Sequence, residues 1–474
     1  MSKTAIVVHD LNIKSRESRD LHHVSFRVQD HTVTGLLGLD GSGVELLCRV
    51  LRGEPEVFSG ALGSIWMGGK EMRHASELGN RVRYIRMADA VLENWTVAEY
   101  LGLRRAQFFI GKNEKQTMRK KAEDKFRKLG RTVDASGLMS TVSETDRRTA
   151  RIIHDLDKET QLLIIEDECL GMNSAEIKEY AAVIKNVADT GIPVLFRSQS
   201  LQTSLQICGE FLVFRRGRLV KRWRQTGTVD PDLLTRYLLG ETIAEEIKTL
   251  RRTQRNVRER RNITYQVYDL LLAGKKQNFR FHEGEVTAFV IGNNLCCREF
   301  FEHLSGREIS LSTRYYLGFR ELHCRNLEDF IRQKIVSTML GNEEYELFEN
   351  MSLEDNLLMP SLQKFSTLRY FQQSDNLHKA TRSLVHGDQE RKNSITVRHA
   401  DQSSRIRIDM GRWLIFRPRV LILFEPFFAC DTYGATLIST YIKQFANLGT
   451  SVIVIKSNEE YMAELADHIY RIEV

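Results

Sequence analysis

Val33-Thr34-Gly35-Leu36-Leu37-Gly38-Leu39-Asp40-Gly41-Ser42-Gly43-Val44-Glu45 decides how the first half of this chain is read. It opens as an apolar strand suited to the inside of a parallel sheet. Gly38, Gly41 and Gly43 then supply the permissive backbone of a tight strand-to-helix turn. Such a loop binds phosphate when its N–H groups converge on the anion. A lysine must also reach the β/γ-phosphates, and a Ser or Thr hydroxyl must meet Mg²⁺. Gly38, Gly41, Ser42 and Gly43 are the candidate cradle positions, but the lysine position is Val44 and the hydroxyl position is Glu45. A carboxylate there repels a polyphosphate, and no ammonium offsets the phosphate charge. The sequence therefore favours a plain turn over a working anion site.

The same order of elements recurs in the second half. Val24–Val28 followed by Val33–Gly38 matches Asn278–Phe281, a polar break at Glu283–Glu285, and Val286–Gly292. Each half later carries a fully apolar run ending in acid, Leu162–Asp167 and Val420–Glu425. Each then has a final strand, Pro193–Phe196 and Ser451–Ile455. A duplicated alternation of strands and helices implies two α/β domains, each on a parallel sheet. The boundaries read as 1–240 and 263–474. The segment 241–262 between them is dense in arginine and reads as a solvated linker, with contact to anionic lipid or a partner as the alternative.

Composition narrows the class. The chain has 474 residues, 42% hydrophobic and 28% charged, with only six prolines, as expected of long regular elements in a globular protein. No run approaches the roughly 20 apolar residues of a membrane span, and the first ten residues contain no signal-peptide core. Seven scattered cysteines without a C-x-x-C pair argue against a disulfide framework or a metal site. The charge of +7, from 69 basic and 62 acidic residues, is modest and does not demand nucleic acid.

These landmarks together resemble the ATP-binding subunits of ABC transporters, and most of all the tandem subunits of sugar importers, whose relatives serve nucleosides and autoinducers. The resemblance rests on Gly38–Gly43, Trp95-Thr96-Val97-Ala98-Glu99, Val142-Ser143 and Phe214–Val220 in the first half. In the second it rests on Met351–Asn356, Arg412-Trp413-Leu414 and Pro418–Pro426. It implies two P-loop NTPase-like domains, each with an inserted helical subdomain.

The resemblance also implies a set of site residues, and most of them are altered. The catalytic strand should end in an Asp that orients Mg²⁺ and then a Glu that polarises water. The first half has Glu166 and Asp167, each carboxylate displaced by about one methylene, a misplacement that can cost roughly 10²-fold. The second half has Phe424, which cannot coordinate, and then Glu425-Pro426. Asp167 and Glu425 are thus vestigial catalytic positions. The second phosphate loop, Gly292 to Glu299, lacks the inner glycines. Fifteen steps separate Gly38 from Gly53 but fourteen separate Gly292 from Gly306, so it is one residue short, with Arg298 as a stand-in for the lysine. The γ-phosphate sensors map to Met87 and Leu340, the last-strand histidines to Gln199 and Ser457, and the following acids to Asn173 and Asp431. The signatures map to Ser143 with Glu144 and Asp146, and to Ala400 through Ser404; neither keeps its glycines.

ABC sites are composite, so these losses compound. The expected function is that of a pseudo-ATPase subunit, with ATP and Mg²⁺ binding weak or absent and no metal site. It is expected on the cytoplasmic face of the membrane, under a polytopic permease and beside an intact ATPase subunit, without nucleic acid. A divergent but working ATPase energising carbohydrate import, and a soluble tandem scaffold acting on RNA or ribosomes, are the other readings.

Overall fold

The computed structural model describes residues 4–14, 20–39, 41–86, 92–102, 112–167, 169, 172–224, 231–240, 262–272, 274–310, 312–339, 347–361, 366–367, 371–372, 396–400, 402–428 and 430–472. The chain divides into two compact units, Met1–Ala244 and Glu245–Val474. Apart from Asn262, the segment expected as a linker lies outside the described residues, as do Asp40, Met87, Leu340 and Asp401.

In the first unit, apolar strands stack into a six-stranded sheet. Its spatial order is Arg218–Arg224, Glu210–Arg215, Val33–Leu37, Val194–Arg197, Leu162–Glu166, Val82–Arg86. All neighbouring pairs are parallel except the outermost, Arg218–Arg224 on Glu210–Arg215. Leu162 to Ile165 have no exposed surface, as a strand covered on both faces requires. A separate antiparallel sheet, ordered Leu21–Gln29, Thr4–Ile13, Ala61–Met67, Lys70–Glu71, contributes its alternate residues to the same core as the helix Val44–Leu51. Between Val82–Arg86 and Leu162–Glu166 the chain makes the helices Val97–Gly102, Lys112–Lys128 and Glu144–Asp155, an inserted helical layer.

The second unit repeats the design. Five parallel strands run in the order Ile335–Met339, Val420–Phe424, Ser451–Lys456, Val286–Ile291, His468–Ile472. Taken from the other edge, this is the first unit's order without its antiparallel outer strand. An antiparallel sheet of Lys275–His282, Ile263–Leu272, Arg314–Leu317 and Arg320–Leu322 accompanies it. The register equates the two catalytic strands: the Asp167 N–H donates to the carbonyl of Arg197 at 3.1 Å, and the Glu425 N–H donates to that of Ile455 at 2.9 Å. Glu166 thus matches Phe424, and Asp167 matches Glu425.

The central strands predict where each unit is most sensitive. Ile164→Ala and Ile422→Ala, both at fully buried sites, should each lower the stability of their own unit by about 2–5 kcal/mol. Denaturant unfolding of the full chain measures this. A loss under about 1 kcal/mol would mean the strand is not close-packed.

Candidate functional site

In the first unit the phosphate-loop positions form the expected turn, but its interior is occupied by protein. The loop spans Gly38 to Gly43 between the strand Val33–Leu37 and the helix Val44–Leu51. Gly41 and Gly43 have φ of 69° and 96°, conformations that favour glycine. Gly43 also meets Gly217 closely: a Cβ there would lie 3.2 Å from the Gly217 Cα. The Gly217 N–H donates to the Ser42 carbonyl at 2.8 Å, fastening the loop to the hairpin Glu210–Arg224. A Cβ on Gly38 would lie 2.2 Å from the Ser42 Oγ and 3.0 Å from a Val44 methyl. Ser42 and Val44 are both buried, and Val44 belongs to the hydrophobic core. At the lysine position the side chain therefore faces the core. Glu45 is exposed in the first helical turn, where its negative charge complements the helix dipole that would otherwise favour an anionic ligand.

The two acids at the end of the catalytic strand are both tied up within the unit. Glu166 Oε1 accepts from Arg197 Nη1 at 2.7 Å, and Glu166 Oε2 accepts from the Tyr84 hydroxyl and lies 3.7 Å from Arg86 Nε. Asp167 Oδ2 accepts from Arg148 Nε at 3.0 Å, and its Oδ1 accepts from the Cys169 N–H at 2.7 Å. Both members of the Arg148–Asp167 pair are buried. Burial opposes the charge on Arg148, but Asp167 together with further neighbours including Glu144 outweighs it and raises the guanidinium pKa. Burial and the neighbouring Glu166 likewise push the Tyr84 phenol up. A carboxylate with its lone pairs filled by arginine, tyrosine and backbone is poorly placed to bind Mg²⁺ or activate water.

Arg148 comes from the helix Glu144–Asp155, whose first turn is the signature position. Ser143 caps this helix: its Oγ accepts from the Asp146 N–H at 3.1 Å and donates to Asp146 Oδ2 at 2.7 Å. Asp146 also holds Arg131 at 2.8 Å, and Glu144 holds Arg147 at 2.8 Å and Arg148 at 2.7 Å. The helix terminus that would face a γ-phosphate is thus supplied with its own anions. Asn173 is the N-cap of Ser174–Asp189 and forms a capping box with Glu176. Asp431 caps Thr432–Asn447. Gln199 is half-buried just past the strand Val194–Arg197.

In the second unit the phosphate loop is gone. The strand ends at Ile291 and the helix Asn294–Leu304 begins three residues on, leaving only Gly292 and Asn293 between them, against six residues from Gly38 to Gly43. This corrects the expectation of a loop one residue short. Three residues have been taken into the helix, which has 11 residues against eight in the first unit, and one is deleted. Asn293 caps the helix by accepting from the Cys296 N–H at 3.2 Å. Arg298 is corrected with it. It lies on the exposed helix face with its Nε donating to Glu302 at 2.9 Å, one residue past Cys297, which on this count matches Val44 at the lysine position. Cys297 is fully buried.

The second catalytic strand ends in packing and a caged acid. The Phe424 and Phe301 rings lie 5.0 Å apart. Glu425 is buried with φ of 42°, and its Oε1 accepts from the Ser457 N–H at 2.6 Å. Lys456, from the neighbouring strand, is buried beside it. Its Nζ donates to the Glu460 carbonyl at 3.1 Å and lies 4.9 Å from the Phe427 ring. Burial pushes the Lys456 pKa down, and Glu425 opposes this. Sequence reasoning missed Arg148, Arg197 and Lys456. Arg197 and Lys456 end or follow apolar runs next to the acids, a visible signal, whereas Arg148 is 19 residues from Asp167 and its partnership needed the fold. Among the described residues no cluster of His, Cys, Asp or Glu could hold a metal ion.

A duplicated parallel sheet with glycine turn, inserted helices and strand-end acids defines the ABC type of ATP-binding protein. Residues 21–171 of the chain match the ABC transporter family model. The chain is similar along 95% of its length to the ribose import ATP-binding protein of Clostridium tetani, at 23% identity and covering 89% of that protein. The same share matches the galactose/methyl galactoside import ATP-binding protein of that organism at 22% identity, covering 90% of it, and the arabinose import ATP-binding protein of Pseudomonas fluorescens at 24%, covering 87%. In fold, the chain matches a solved RNase-L inhibitor over 99% of its length and 88% of that chain, with a TM-score of 0.58 at 13% identity.

The buried pair gives a direct test. Arg148→Met should cost about 3–5 kcal/mol by stranding the Asp167 charge, and adding Asp167→Leu should restore most of it. Thermal or denaturant unfolding reads both. Equal destabilisation of single and double variants would show that the pair does not carry the charge balance.

Proposed function

We propose that the chain is a catalytically silent ATP-binding-type subunit of a carbohydrate ABC importer, which scaffolds or regulates its permease complex. The observation that carries this is that each strand-end acid is held by the protein's own groups: Glu166 by Arg197, Asp167 by Arg148, and Glu425 by the Ser457 N–H. Asp167 and Glu425 stand as vestigial catalytic positions. Gly38, Gly41, Ser42, Gly43, Val44, Glu45 and Ser143 mark a degenerate nucleotide site that binds ATP and Mg²⁺ weakly or not at all. The import function rests on the ribose, galactose and arabinose import proteins that the chain resembles. Turnover then falls to an intact ATPase subunit in the same assembly.

A permease-facing surface is supported by exposed apolar side chains in the first unit. Leu92, Trp95 and Leu138 are 46%, 38% and 41% exposed. Backbone bonds place them side by side, Trp95 to Leu92 at 3.2 Å and Met139 to Trp95 at 2.8 Å. In the second unit Phe348 is 55% exposed. Tyr84 and Leu353 instead pack on the core of their own units. Among the described residues no helix is long and apolar enough to cross a membrane, so attachment goes through the polytopic partner.

Purified protein should hydrolyse no ATP above contaminant background, and the double variant Val44→Lys with Glu45→Thr should stay silent because Glu166 and Asp167 remain occupied. Turnover in that variant, or micromolar Mg·ATP affinity by calorimetry in the parent, overturns the silent reading. Co-purification from detergent-solubilised membranes should recover a polytopic permease, with recovery reduced by Trp95→Glu. Recovery of free protein alone at low salt would sink the importer assignment.

A further inference from the structure

The helix Lys112–Lys128 in the first unit's helical layer concentrates positive charge. Its 17 residues include eight Lys or Arg and three Asp or Glu, a net of five positive charges out of +7 for the whole protein. The helix is anchored by a buried face, Ala122 and Phe126, followed by Leu129 just beyond its end. Its outer face carries Lys120, Lys121, Asp124, Arg127 and Lys128, all exposed.

Two acids of this helix are matched within it. Glu123 accepts from Arg119 at 2.8 Å and Asp124 from Arg127 at 2.9 Å. Arg119 also lies 3.1 Å from Asp134. Among the described residues, Lys120, Lys121 and Lys128 form no ion pair. The arginines thus serve the fold, and the lysines are left as mobile point charges around the outer face.

We propose that this face docks on the anionic headgroups of a phospholipid bilayer. The complementarity is purely electrostatic, because the apolar stripe of the helix is buried in its own unit and none is left to insert. Lysines at varied angles suit a diffuse, laterally mobile sheet of negative charge better than the fixed geometry of a bidentate site. The choice of a membrane over other polyanions rests on the importer reading, which brings the protein to a bilayer surface. The contact adds a second, permease-independent foothold.

The test is co-sedimentation of the full chain with vesicles of phosphatidylcholine alone or with added phosphatidylglycerol. Binding should require the anionic lipid and fall steeply with salt. Lys120→Glu/Lys121→Glu/Lys128→Glu should weaken it about 100-fold, at roughly fivefold per lysine. The substitutions lie on an exposed face, and an unchanged circular dichroism melt confirms the fold. Equal binding to neutral vesicles, undiminished binding by the triple variant, or tighter binding of duplex DNA than of anionic vesicles would each overturn the proposal. The permease pull-down separates the two readings. Vesicle binding that survives without any permease capture refutes the importer role alone, and permease capture without lysine-dependent vesicle binding refutes this inference alone.

Discussion

A carboxylate at the end of a buried strand cannot remain ionised without a counter-charge, and that constraint organises both units. In a working ATP-binding cassette the strand-end acids meet a metal ion and water. Here the sheet delivers Glu166, Asp167 and Glu425 to the same places, and the protein supplies their partners itself. In the first unit these are Arg197 on the adjacent strand and Arg148 on the signature helix. In the second, Glu425 accepts from the Ser457 N–H, and Lys456, one residue beyond its backbone partner, is buried nearby. The two solutions use different residues on different elements. What they share is the electrostatic requirement, since an unpaired buried charge costs several kcal/mol.

The same substitution of internal for external partners runs through the anion-binding ends of helices. Glu45 in the first turn of Val44–Leu51, and Ser143 with Glu144 and Asp146 at Glu144–Asp155, place side-chain oxygens where phosphate oxygens would be welcome. Once a helix N-terminus carries its own acids, glycines are no longer needed to let a ligand approach. In the second unit this freedom has gone furthest. Asn293 caps the helix directly and the loop has been absorbed into it. In the first unit Gly217 packs closely against Gly43, which sits at positive φ, a constraint of the fold.

Much of this was legible in the sequence because it depends on local pattern. Apolar runs such as Leu162–Ile165 and Val420–Leu423 can only be buried strands, and their recurrence in order revealed two α/β units on parallel sheets. The altered residues Val44, Glu45 and Phe424 were visible for the same reason, since a motif is a short stretch whose chemistry follows from residue type. Loop length was not legible. Gly292 to Glu299 reads as an eroded loop until the helix is seen to start at Asn294, and Arg298 reads as a phosphate hook until that start turns it along the helix toward Glu302.

The sequence by itself therefore determined the fold class, the duplication and the residue types Val44, Glu45 and Phe424 at the loop and strand-end positions, each a property of adjacent residues. Only the tertiary structure decided what took the place of the ligand. The cations that hold Glu166 and Asp167 lie 31 and 19 residues away along the chain, and side chains so separated meet only when helix and sheet are packed. The desolvation that makes those contacts matter is likewise created by burial, which no local pattern contains.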